Sequence, residues 1–235
     1  MYKRPALTLL FALWATSITS HAAWGAEPVQ PAPPTANTMA SGDMPGPLPC
    51  LTPEEVELAR GINAMRTKNN LPPIPVTGAL SRVAKWHVLD LTWHAPHKKT
   101  IDSRGLPCDL HSWSDKGKEL GKWRQVCYTS DHKYAKGMWD KPREMTEYRG
   151  DGYENIYWTS APLSPSMAIT MWENRETEAS LILERSAFAG VRWRAMGVGL
   201  FGSYVSVWFG ERLDPEKEIK SCAEMSGETS VDQQP

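Results

Sequence analysis

Residues 152–158, Gly-Tyr-Glu-Asn-Ile-Tyr-Trp, set one carboxylate, Glu154, among aromatic and aliphatic side chains. A fold that buries Tyr153, Ile156, Tyr157 and Trp158 takes Glu154 in with them, and a buried carboxylate without a partner is strongly destabilising. The stretch therefore demands a cation, a metal or a set of hydrogen-bond donors from elsewhere in the chain. His111, in Cys108-Asp-Leu-His-Ser-Trp113, is the expected partner upstream.

The N-terminus sets the compartment. Lys3 and Arg4 precede an apolar run, Ala6 to Ala15, and Ser20-His-Ala22 supplies small residues where a signal peptidase cuts. Residues 1–22 read as a signal peptide, with Gly25 as an alternative cut, and the run is too short for a membrane span. The segment carries no acid, so its removal takes the formal charge from −1 to −3. With Lys plus Arg at 26 against Asp plus Glu at 27, no global field recruits nucleic acid. The expected location is secreted or periplasmic.

Four cysteines in an exported chain imply two disulfides, and three pairings exist on paper. Cys108 with Cys127 would staple a Trp- and Gly-rich loop, and Cys50 with Cys222 would clasp the ends of the globular region. As ideal upper values these loops are worth about 3 and about 5 kcal/mol.

Residues 23–49 are rich in Pro, Ala and Thr and read as a linker, residues 50–213 as the domain, and residues 214–235 as a polar tail that frays except near Cys222. Thr52-Pro53-Glu54-Glu55 is a capping box with Pro at the first helical position, and it opens a helix to about Asn69. A second helix runs from about Ala79 to Leu91, its apolar stripe Leu80, Val83, Ala84, Val88 and Leu91 sharing a face with His87. His87 reads as a core histidine bonded to a neighbouring helix. Periodicity fades from Thr92 to Asp151, where Trp93, Trp113, Trp123, Trp139 and Tyr128 accumulate. Trp113, Trp123 and Trp139 either plug this long loop or offer a sugar a flat platform. Ser164-Pro165 opens another helix. Val191 to Phe201 and Tyr204 to Gly210 read as a hairpin turning at Gly202-Ser203, and the whole as an α+β domain.

Six pieces in order complete the pattern: Leu80-x3-Ala84-x2-His87, Leu110-His111-Ser112, Tyr153-Glu-Asn-Ile156, Ala168-x3-Trp172, Met196-Gly-Val-Gly199 and Trp208-Phe-Gly210. Together, over Pro53 to Glu211, the chain resembles the CAP superfamily of cysteine-rich secretory, antigen 5 and pathogenesis-related class 1 proteins, also called SCP domains. The resemblance implies an α-β-α sandwich, here with a long Trp-rich loop insertion, and a shallow cleft in which two histidines and two glutamates can hold a divalent cation. His111 matches the first histidine, and Glu154 matches the glutamate of the Gly-Glu-Asn-Ile motif, with Tyr153 in place of the glycine. Arg175 stands where the pattern has the other glutamate, and Glu178 where it has the second histidine.

Those departures leave His111, Glu154 and Glu178 as a weak set for zinc, calcium or magnesium, while Arg175 can instead pair with Glu154 or Glu178 and close the vacancy. Asn155 is expected to tie down backbone. His94 and His97, flanking Ala95-Pro96, read as loop residues. No Gly-x-Ser-x-Gly or His-Glu-x-x-His motif is present, and Ser112 beside His111 does not by itself make a nucleophile and base. The expectation is an extracytoplasmic binding module, not primarily an enzyme, whose ligand is a glycan, a lipid or a protein. A metal-dependent hydrolase using the same cleft is the alternative, and a vestigial cleft with surface interactions elsewhere is the third reading.

Overall fold

The computed structural model describes residues 46–119 and 122–227, so the expected signal peptide, most of the linker and the last eight residues lie outside the described residues. The elements run α1 (Pro53–Lys68), α2 (Gly78–His94), α3 (Lys116–Glu119), α4 (Ala135–Trp139), α5 (Lys141–Met145), β1 (Tyr153–Trp158), α6 (Pro165–Glu173), α7 (Glu176–Ile182), β2 (Ala195–Phe201), β3 (Tyr204–Gly210) and α8 (Cys222–Ser226). This is a mixed helix and strand fold around a small antiparallel sheet in the order β1-β3-β2.

The capping box forms as the sequence requires. Thr52 Oγ1 accepts from the Glu55 amide and Glu55 Oε2 accepts from the Thr52 amide. Glu55 has a second task, because its buried carboxylate also meets Lys85 Nζ of α2 at 2.7 Å, and Lys85 donates to the Cys50 carbonyl. Burial pushes the Glu55 carboxyl up, against the pull of Lys85. The cap of α1 is thus tied to α2 through an ion pair that the capping motif does not announce.

Helix α2 outruns its expected bounds at both ends, and every residue from Ala79 to Leu91 except Arg82 is buried. Its own Thr77 gives no side-chain cap; Asp214 Oδ2 accepts from the Ala79 and Leu80 amides instead. Arg82 pairs with Glu216, Thr77 bridges Glu218, and Leu51 bridges Ser221. The tail expected to fray is therefore fixed through Gly227, and the folded unit passes the boundary drawn at residue 213. Fraying loses here because each of these contacts satisfies a backbone or charged group that would otherwise be left open. Both expected disulfides are present, Cys50–Cys222 and Cys108–Cys127.

Strand β3 lies between β1 and β2 and is buried along its whole length. Its alternation sends Val205, Val207 and Phe209 into a core with Leu58, Ile62 and Met65 of α1 and Ala168 and Trp172 of α6. Trp208 joins a second core with Leu80, Val83 and Ala84 of α2. The hairpin turns at Gly202, whose φ of +59° suits glycine at a tight turn. Val191 to Arg194, expected in the strand, stay irregular, and β2 begins at Ala195.

The long region after α2 is ordered by its aromatics. Trp113 and Trp123 are buried in the second core with Tyr128 and Tyr148, so they plug the loop and cannot serve as a sugar platform; Trp139 is half-buried. A mostly apolar side chain with one polar atom packs readily once that atom is bonded, as Trp123 Nε1 is to the Ser114 carbonyl.

Two glycines let α2 lie against the sheet. A Cβ on Gly197 would stand 2.0 Å from the Leu80 carbonyl carbon, and one on Gly199 would stand 2.5 Å from that of Ala84. Both obstacles are helix backbone and cannot swing aside. Gly197→Ala is expected to lower unfolding free energy by about 3 kcal/mol or more, read as a fall in the urea midpoint.

Candidate functional site

Glu154 sits on β1 directly opposite Trp208 of β3, and its side chain is fully shielded from solvent. Four donors converge on it. His87 Nδ1 lies 2.6 Å from Oε1, Ser206 Oγ donates to Oε1 at 2.5 Å, Trp208 Nε1 donates to Oε1 at 2.9 Å, and His111 Nδ1 lies 2.9 Å from Oε2. They come from α2, β3 and the loop before α3, so the carboxylate joins pieces of chain that are far apart in sequence.

The protons follow from the partners. His87 Nε2 faces the Ser112 carbonyl at 3.1 Å, and a carbonyl only accepts, so that nitrogen carries hydrogen. Burial pushes the Glu154 carboxyl up, but the charge of His87 and the hydrogen bonds of both histidines outweigh burial and hold it down to about 2. His87 is thereby held at both nitrogens, between Glu154 and the Ser112 carbonyl. Its ring stacks on Trp113 at 4.2 Å and 7°, and Lys141 Nζ lies 5.5 Å from the same indole, a cation on an aromatic face.

His111 differs in that its side chain is 25% exposed. Its backbone amide donates to Asp109 Oδ1, its ring leans on Tyr128 at 5.1 Å, and Nδ1–H points at Glu154. Nε2 has no protein partner among the described residues and faces outward. Burial lowers its affinity for a proton, but Glu154, Asp109 and Glu178 together raise its pKa above the ordinary histidine value. Tyr128 next to it is pushed up to about 12, by burial first, and its hydroxyl contacts His132 Nδ1 at 2.8 Å.

The other expected residues are only partly gathered. Asn155 points to the opposite side of β1 from Glu154, and its Nδ2 donates to the Glu178 carbonyl, tying α7 to the sheet. Arg175 pairs loosely with Glu178 at 3.6 Å and does not reach Glu154, because its side chain is 66% exposed and hydrated. Glu178 contributes field to His111, yet no group of three or more His, Cys, Asp or Glu that could hold a metal forms among the described residues. Both oxygens of Glu154 already accept hydrogen bonds. Ser112 is buried, its Oγ accepting from the Tyr128 amide, so it braces the loop.

Three contributors escaped the sequence reading. His87 is bonded to a strand carboxylate, and not to a neighbouring helix as expected. Ser206 and Trp208 were visible as one face of an alternating strand, and the signal that could have singled them out is a lone serine between Tyr204 and Trp208 on a face otherwise built of large rings. A broad open groove of about 1560 Å³ lies elsewhere, between α1, residues 73–76 and residues 218–227, and includes none of these side chains.

No family model and no curated protein sequence matches the chain. Similar solved structures include a cysteine-rich secretory protein from Staphylococcus aureus, at 19% identity and a TM-score of 0.40 over 68% of this chain and 39% of that one. An extracellular protein containing an SCP domain from Bacillus anthracis shows 17% identity and a TM-score of 0.42 over 68% and 40% of the two chains. An outer surface protein from Borrelia burgdorferi shows 14% identity and a TM-score of 0.41 over 68% and 94%. This chain spans about two fifths of the length of the first two.

Removing His87 leaves a buried carboxylate without one of its partners, so His87→Ala is expected to destabilise by about 3–5 kcal/mol. His111→Ala, at a partly exposed position, should cost about 1–2 kcal/mol. The pH dependence has two arms. Glu154, depressed when folded, stabilises fully above the ordinary carboxylate pKa of about 4.5 and loses that contribution as pH falls towards 2. His111, raised when folded, stabilises fully below about 6.5 and loses its contribution as pH rises through its folded value. Urea midpoints of the parent should exceed those of Glu154→Gln most between about pH 5 and 6.5.

Proposed function

We propose that the chain is a secreted or periplasmic binding module of CAP type, an α-β-α sandwich whose cleft is built on His111 and Glu154 and takes a glycan, lipid or protein ligand. The observation that carries this reading is the division of labour between them. Glu154 is saturated by four donors and acts as a fixed anchor, while His111 is oriented through Nδ1 and offers Nε2 outward. A buried carboxylate that orients an imidazole gives a binding surface one precisely aimed polar group. Two disulfides and no free cysteine among the described residues accord with an oxidising compartment.

The same orientation is what a carboxylate supplies behind a metal-bound histidine, and this favours a metal-dependent hydrolase as the second reading. In that reading His111 would be a ligand, Glu178 a further acidic neighbour, and Glu154 would stand behind His111. Arg175 beside Glu178 counts against it, since its charge competes with a cation for the same carboxylate.

Calorimetric titration of the chain and of His111→Ala with Zn²⁺, Ca²⁺ and Mg²⁺, followed by binding screens of both against glycans, lipids and proteins, tests the proposal. The expected outcome is no stoichiometric metal uptake by either, together with a ligand bound by the parent and weakened at least about tenfold in His111→Ala, a loss of about 1.4 kcal/mol. One equivalent of metal bound by the parent and lost in the variant would instead favour the hydrolase.

A further inference from the structure

We propose that the end of the sheet carrying Trp158, Tyr204 and Phe201 is an anchor that lays the protein against an anionic lipid surface. Trp158 and Phe201 both stand directly opposite Tyr204 in the strand register, so the three side chains share one face in a row across β1, β3 and β2. Tyr204, in the middle, is buried; Trp158 and Phe201 on either side are 45% and 42% exposed. The half-buried ring of Trp93, near the end of α2, meets Phe201 edge-on at 5.9 Å and extends the row.

Exposed aromatics alone do not name a partner; their surroundings do. The indole N–H groups of Trp158 and Trp93 have no protein acceptor among the described residues and are not buried, so the row ends in free donors. The loop after α2 packs on the row through His97, whose ring meets Tyr204 at 5.8 Å, and the next two residues, Lys98 and Lys99, are exposed and without an ion-pair partner among the described residues. His97 itself is pushed down to about 4, by burial first and then by the charges of Lys98 and His87, with no carboxylate contributing. Lys98 and Lys99 thus place exposed positive charge beside the loop residue that covers Tyr204.

Rings with one apolar side and a free donor, bordered by unpaired ammonium groups, match the layered chemistry of a bilayer surface: acyl chains, then carbonyl and phosphate acceptors, then anionic charge. A soluble protein partner would more often find its charges paired and its aromatics centred inside a larger apolar patch. Among the described residues no helix is long and apolar enough to cross a membrane; a contact that draws on exposed ammonium groups is salt-sensitive. The row lies on the same face of the sheet as Glu154, four residues along β1 from it, and its lipid contact does not require the binding role assigned to His111.

The test is flotation of the full chain with vesicles of phosphatidylcholine alone and of phosphatidylcholine containing one third phosphatidylglycerol, at low and high salt. The parent should float with the anionic vesicles and be released by salt. Trp158→Ser with Phe201→Ser should weaken retention more than about tenfold, and Lys98→Glu with Lys99→Glu should weaken it roughly 25-fold, from about fivefold per lysine. The lysine pair is exposed and leaves the core untouched, and urea midpoints would verify that both doubles stay folded. Failure of the parent to float with anionic vesicles would overturn the proposal, and so would equal retention of the parent and both folded doubles.

Discussion

The structure depends on one buried carboxylate. Glu154 accepts from two histidines, a serine and an indole, and through them β1, β3, α2 and the loop before α3 are held in register. Every group in that set is buried except His111, so losing a member leaves a charge or donor with nowhere to turn. The network also decides which histidine keeps a nitrogen open to solvent. His87 is consumed between Glu154 and the Ser112 carbonyl, whereas His111 spends one nitrogen and keeps the other open.

Around this point the chain builds two cores on opposite faces of the sheet, and they differ in kind. The core that contains α1 and α6 is largely aliphatic. The α2 side is aromatic, with Trp113 meeting both Trp123 and Trp208 edge-on and stacked on His87. The irregular segment can pack there because its tryptophans supply the volume that a helix or strand would otherwise provide, and because Gly197 and Gly199 let α2 come down onto β2. The Cys108–Cys127 bridge closes the same segment. Site and plug are one structure, since the indole that fills the loop is the one that covers the histidine.

Local chemistry was legible wherever its partners lay close in sequence. The capping box of α1, the turn at Gly202-Ser203 and the stripe on α2 each have their determinants within a few residues, and each formed as read. The site was legible in part. An isolated carboxylate among aromatics demanded partners, and His111 was found by that demand. His87 was passed over because a lone histidine in an apolar stripe carries no mark of what lies across from it. Ser206 and Trp208 reach Glu154 only through strand pairing, and pairing is settled over a separation of more than fifty residues. Asp214 as the cap of α2, and Glu55 as the partner of Lys85, belong to the same class of contact.

By itself the sequence determined the disulfide-bearing α+β class, the first two helices, the closing hairpin and the need to neutralise Glu154, because these rest on composition, period and the cost of burying charge. Tertiary structure alone decided which side chains meet that need, which nitrogen is left open and which aromatics stay exposed. The physical reason is that a buried charge states its requirement locally, in the residues beside it, while the groups that satisfy it are chosen by the packing of helix on sheet and by strand register. A one-residue slip in the pairing of β1 with β3 would turn Glu154 away from all four of its donors.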